Sequence, residues 1–120
     1  MTSIMHIEAK VPQAIMKKVT ANTATTIVDA TNNSKWVPWF EVNENAGATP
    51  NLTVSITDGT TTYYPGADGT LTVYIAKAVT AAQSLKFTAG YVIPKSFSLK
   101  VTSSDAAGKF DVLGVVIDFA

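Results

Sequence analysis

Residues 51–57 read NLTVSIT, Asp58-Gly59 follows, and residues 60–64 read TTTYY. Alternating runs on either side of Asp-Gly predict a β-hairpin, because a type I′ turn needs positive φ at both central residues and glycine adopts it at no steric cost. A two-residue loop pairs Thr57 with Thr60. Leu52, Val54 and Ile56 then share a face with Thr61 and Tyr63, while Thr53, Ser55, Thr57, Thr60, Thr62 and Tyr64 share the other. An apolar face backed by hydroxyls marks an antiparallel sheet with one side in a core and the other in water.

The pattern recurs in both directions along the chain. Toward the C-terminus, Pro65–Gly69 is turn chemistry, and TLTVYIAK (70–77) places Leu71, Val73 and Ile75 inward against Thr72 and Tyr74. SLKFT (84–88) puts Leu85 and Phe87 inward. Phe97, Leu99 and Val101 alternate without fault against Ser96, Ser98, Lys100 and Thr102. The last segment, 109–120, changes phase: Phe110 and Val112 have one parity, and Val115, Ile117 and Phe119 the other. A bulge at Leu113-Gly114 would return both sets to the core; the alternative is a strand buried on both faces.

Toward the N-terminus, TTIVDA (25–30) is a short strand closed by Asn32-Asn33-Ser34, and Glu44–Pro50 is loop by composition. KWVPWFEVN (35–43) carries both tryptophans of the chain. Strict alternation places Trp36, Pro38, Phe40 and Val42 on one face and Val37, Trp39 and Glu41 on the other, and Pro38 implies an edge or a bulge. Residues 1–12 form an extended arm, with Met5, Ile7, Ala9 and Val11 on one side and Ile4, His6, Glu8 and Lys10 on the other; Pro12 ends it. Gln13–Thr20 reads as a strand, with a helix from Pro12 to Val19 as the competing assignment. The expectation is an all-β fold: an antiparallel β-sandwich or jelly roll of about eight to nine strands spanning 13–120, preceded by the arm.

Composition narrows the function. Nine Lys and no Arg balance nine Asp and Glu, so the chain offers neither a net field nor a bidentate phosphate fork, which argues against nucleic acid. No cysteine is present, and no apolar run reaches the ~18 residues of a membrane helix. No secretory leader is evident, and a soluble chain is expected. His6, the one histidine, sits in the arm, away from any nucleophile and acid that could complete a triad. The carboxylates Glu41 with Glu44, and Asp111 with Asp118, could pair for acid–base work but read as solvated charges. The Asp-Gly-Thr triplets at 58–60 and 68–70 lack the further acids of a calcium loop, so no metal, cofactor or enzymatic activity is expected. The aromatics remain. Trp39, Tyr64 and Tyr74 point outward in these registers, where rings can stack on sugars or fill a protein interface, and the interface is preferred.

VTANTATTIVDA (19–30), the strand ending Val42-Asn43, the Thr-rich hairpin, Tyr91-Val92-Ile93-Pro94, and SLKVTSS leading into FDVLGVVIDF resemble small auxiliary virion proteins of tailed bacteriophages. The resemblance implies a β-sandwich that coats or cements a capsid as a decoration protein, with neck or tail placement as alternatives. It also implies a homo-oligomer, a trimer above all, bound to the major capsid protein or another virion protein on the outer surface of the particle. The contacts expected on that basis are Met5, Ile7 and Val11 of the arm, with Trp36, Trp39 and Phe40 of the tryptophan strand. The reading from a different class is a carbohydrate-binding or host-adhesion module using Trp39, Tyr64 and Tyr74.

Overall fold

The structure, a computed structural model, describes residues 11–20, 23–46, 51–65, 77–78, 84–103 and 109–119, with side chains except at 45, 46, 51, 77, 78 and 84. Met5, Ile7, His6, Tyr74 and the strand expected at 70–77 lie outside the described residues, apart from that strand's last position.

Ten strands, in chain order, make up the described part: β1 Gln13–Val19, β2 Thr25–Asp29, β3 Lys35–Ala46, β4 Asn51–Thr57, β5 Thr62–Tyr63, β6 Lys77–Ala78, β7 Ser84–Phe87, β8 Tyr91–Ile93, β9 Ser98–Ser103 and β10 Lys109–Asp118. They form two antiparallel sheets packed face to face. The first runs β1-β10-β3-β7, with β8 also on β3; the second runs β2-β9-β4-β5, with β6 also on β4. The expected sandwich is therefore present, and Gln13–Val19 is a strand, not a helix. The core between the sheets is filled from both sides: Ile15, Val37, Phe40, Phe110 and Val112 from the first sheet meet Leu52, Val54, Leu99 and Val101 from the second, each at most 3% exposed. The alternation read in β4 and β9 is the alternation observed, because one face of each looks into this core and the other into solvent.

Three local expectations are corrected. The hairpin loop holds four residues, not two: Ile56 pairs with Tyr63 and Thr57 with Thr62. Asp58 is not in the left-handed region; only Gly59 is, at φ 95°. The carboxylate explains the choice. Asp58 Oδ1 accepts the N–H groups of Thr60 (2.8 Å) and Thr61 (2.6 Å), and the Asp58 N–H reaches the Thr61 carbonyl at 3.2 Å, so the loop is closed by side-chain chemistry that a two-residue turn has no room for. The shift is two residues, so the facing of every side chain is kept. β3 also continues past Asn43 to Ala46, through the stretch expected to be loop.

The third correction concerns β10. No bulge forms at Leu113-Gly114; the irregularity lies on β3, where Val115 faces Trp39 but Ile117 faces Trp36. Val37 and Pro38 thus share one position opposite β10, as a proline that cannot donate to the ladder favours. Phe110, Val112, Gly114 and Val116 all keep the inward parity, which leaves Val115 and Ile117 on the outer face.

The turn from β8 to β9 pins the second sheet against the β2–β3 loop. The Phe97 N–H donates to the Pro94 carbonyl (2.9 Å), the Ser96 N–H to Ala30 (2.9 Å) and the Ala30 N–H to Phe97 (3.0 Å), while Ser96 is held at φ 80°. A side chain in the left-handed region costs about 1–2 kcal/mol, more than the chain entropy glycine adds to the unfolded state. Ser96→Gly is expected to raise stability by about 0.5–1 kcal/mol, read as a higher urea midpoint at unchanged m-value.

Candidate functional site

The outer faces of the two sheets differ in kind. On the second sheet the outward positions of β4 and β9 are Thr53, Ser55, Thr57, Ser98, Lys100 and Thr102, a hydroxyl surface. On the first sheet the bulge at Val37-Pro38 turns both tryptophans outward. Trp36 and Trp39, three residues apart, would fall on opposite faces of a regular strand; one extra residue between them restores them to the same face, each 39% exposed. Trp39 lies beside Val115, and Trp36 between Ile117 and Val92. The Trp36 indole is held against the β7–β8 turn, where Gly90 at φ 80° brings a bare backbone so near that an added Cβ would stand 3.4 Å from Nε1.

The apolar face continues across β10 onto the edge strand. Leu113 (38% exposed) pairs with Met16 (73% exposed), and a shallow depression of about 270 Å³ opens there, walled by these two, Lys17, Lys18 and Asp111. Lys18 spans its rim to Asp111 at 2.7 Å. At the other margin Lys86 bonds Glu41 at 3.3 Å, and the Asn43 amide donates to the second Glu41 oxygen at 2.9 Å. The face is thus an apolar strip bordered by two ion pairs and by Lys17, the composition of a contact surface with a polar rim.

This arrangement sorts the expected residues. Trp36 and Trp39 are on the face, and Val11, 74% exposed, lies just before the edge strand. Phe40 is a correction: it is 0% exposed, stacked on Phe87 with centroids 4.5 Å apart and planes 5° apart, and met at its edge by Tyr91. It is a core residue; strict alternation groups it with Trp36 only when carried through the bulge at Val37-Pro38. Val92, Met16, Leu113, Val115 and Ile117 were missed. For Leu113, Val115 and Ile117 the signal is the phase change in 109–120, which marks a strand apolar on both sides; no such signal marks Met16 or Val92. Trp39 and Tyr64 do not form one platform, since Trp39 belongs to the first sheet and Tyr64 follows β5 of the second.

The carboxylates do not assemble into a reactive pair. Glu41 points out and Glu44 in, where it is 7% exposed and neither oxygen has a hydrogen-bond partner. Asp111 bonds Lys18, and Asp118 bonds Lys35. Among the described residues no group of three or more His, Cys, Asp or Glu could hold a metal ion.

Three carboxyls are held below the usual carboxylate range by donors: Asp29 by the hydroxyl and N–H of Thr31, Glu41 by Asn43 and Lys86, and Asp58 by the N–H groups of Thr61 and Thr60. Each is more acidic folded than unfolded, so its contribution is complete above the unfolded value, near pH 4, and is lost as pH falls through the folded value. The melting temperature is expected to be level at neutral pH and to drop below about pH 4. Asp58→Asn, which keeps an acceptor oxygen without the charge, should make the acid limb shallower. An acid limb unchanged in that variant would remove Asp58 from the account.

No protein-family model matches the sequence, and no curated protein matches it. In fold the chain is similar to two crystal structures of a pentameric capsid protein isolated from metagenomic phage sequences, one of them solved by iodide SAD phasing. Each aligns over 89% of this chain at 24% identity, with TM-scores of 0.44 and 0.40. The chain spans 62% of the length of either. The likeness is one of fold.

Proposed function

We propose that this chain is a structural protein of a phage virion, of the capsid decoration or cement kind, which assembles through the outer face of its first sheet. The observation that carries the reading is that face: two tryptophans turned outward by a bulge, continuous with Val92, Leu113 and Met16, on a protein without net charge. Buried Trp anchors inside a polar rim are what protein contacts use. The opposite sheet presents hydroxyls, a surface suited to standing in water without binding. The partner is the major capsid protein together with further copies of this chain, and repeated attachment to a symmetric shell turns modest single contacts into a lasting hold. The oligomer proposed is a trimer; a pentamer, the state named for the two capsid proteins above, is the alternative that light scattering separates from it.

Cryo-electron microscopy of the particle that carries the protein should show the sandwich on the outer capsid surface with the tryptophan face toward protein. Density confined to the neck or tail would move the role there, and absence from the particle would end it. Trp39→Ser is expected to weaken particle binding by about 30-fold or more while the isolated protein stays folded, its melting temperature lower by only a few degrees. Full occupancy by that variant would sink the face as the contact. A glycan array with wild type and Trp39→Ser tests the carbohydrate reading directly.

A further inference from the structure

The geometry points to a specific occupant for part of the tryptophan face: the N-terminal segment, residues 1–10, of a neighbouring copy. This rests on the reading of that face as an assembly surface and names what covers it.

Period is the first ground. Met5, Ile7, Ala9 and Val11 alternate with Ile4, His6, Glu8 and Lys10, so an extended arm offers one apolar side and one mostly polar side. The outer face of the first sheet is an apolar strip bordered by the ion pairs Lys18–Asp111 and Lys86–Glu41, with the exposed Lys17 at its edge. An amphipathic strand can cover the strip without breaking either ion pair, its polar side turned to water.

Length is the second. Ten extended residues span about 33 Å, the length of the ten-residue strand β10 that forms the middle of the strip. The arm can therefore run the face from the Met16–Leu113 depression to Trp36.

Direction decides between the chain's own arm and a neighbour's. β1 begins at Gln13, opposite Val116, so the arm leaves at the same end of the sheet as Ile117 and Trp36. To lie on its own face it would have to reverse at once. Proline at 12 holds Val11 to extended geometry, and among positions 1–11 only Ser3 is a usual turn residue. The local chemistry sends the arm onward, away from its own sheet and within reach of a second molecule. Each copy then gives an arm and receives one, an exchange that closes in a ring of any small number of copies.

The chain has no cysteine, so a single introduced thiol can be labelled uniquely. A donor chain carries Ile7→Cys with a nitroxide, plus Trp36→Phe and Trp39→Phe, which leaves it without tryptophan. Mixed with wild type, it should quench the wild-type tryptophan emission in proportion to donor concentration, since every tryptophan present then belongs to the other copy. The same label on Thr60→Cys, at the hairpin loop of the second sheet, should quench little. A wild-type chain lacking residues 1–10 should be quenched as an acceptor at least as strongly, its own face being intact. No quenching in the mixture overturns the inference. So does quenching seen only in an Ile7→Cys chain that keeps its own tryptophans and unaffected by dilution, which would place the arm on its own sheet. Either result leaves the proposed virion role to stand or fall on particle occupancy, measured separately.

Discussion

Phe40→Ala is expected to cost about 3–5 kcal/mol, a third or more of the stability of an ordinary small protein. Phe40 is fully buried at the centre of the first sheet, its ring stacked on Phe87 and met at the edge by Tyr91. Alanine would remove the buried ring area, the aromatic contact energy and the filling of the space between the sheets together. Urea unfolding followed by near-ultraviolet circular dichroism should show the midpoint falling steeply. The neighbouring Trp39→Ala is expected to cost about 1 kcal/mol or less, because that ring lies on the outer face and is 39% exposed. Equal costs for the two substitutions would show that Phe40 and Trp39 do not face opposite sides of β3.

Gly114→Val is the second large effect, expected at about 3 kcal/mol or more and in the direction of lost folding. Gly114 faces Phe40 across the β10–β3 pair. A Cβ there would stand 2.7 Å from the Trp39 carbonyl oxygen, 2.8 Å from the Phe40 Cβ and 2.9 Å from the Phe40 Cα. None of these atoms is the far end of a flexible chain, so relief requires moving the β3 backbone next to its bulge. Gly114→Ala should therefore be harmful too, and most of the loss should appear with the first carbon. A thermal melt of Gly114→Ala that overlays wild type would show that the strands can part at no cost.

Both expectations turn on the pairing of β3 with β10, and that pairing is where the sequence was least legible. In β4 and β9 the outward residues are Thr, Ser and Lys and the inward ones Leu, Ile and Val apart from Ser103 at the end of β9, so period 2 names the faces outright. In β3 both parities are apolar or aromatic. Alternation carried through Pro38 then put Phe40 with Trp36, although proline marked the place where alternation could fail. In β10 the phase change is visible, and the sequence allows an extra residue within β10 or a strand buried on both faces, whereas the extra residue lies in β3. A strand records that its phase shifts; which partner holds the additional residue depends on the register between segments far apart in the chain.

The sequence by itself determined the all-β class, the borders of most strands and the hydroxyl face of the second sheet. Each of these follows from local chemistry: turn residues at the ends, β-branched residues between, and period-2 contrast wherever one side is wet. The tertiary structure alone decided that Trp36 and Trp39 stand together on the outside, that Phe40 is inside, and that Val92, Met16 and Leu113 extend the tryptophans into one surface. These depend on long-range pairing and on where a proline lets the ladder slip. That surface, assembled from four strands by the packing of the first sheet, is the contact on which the proposed function rests.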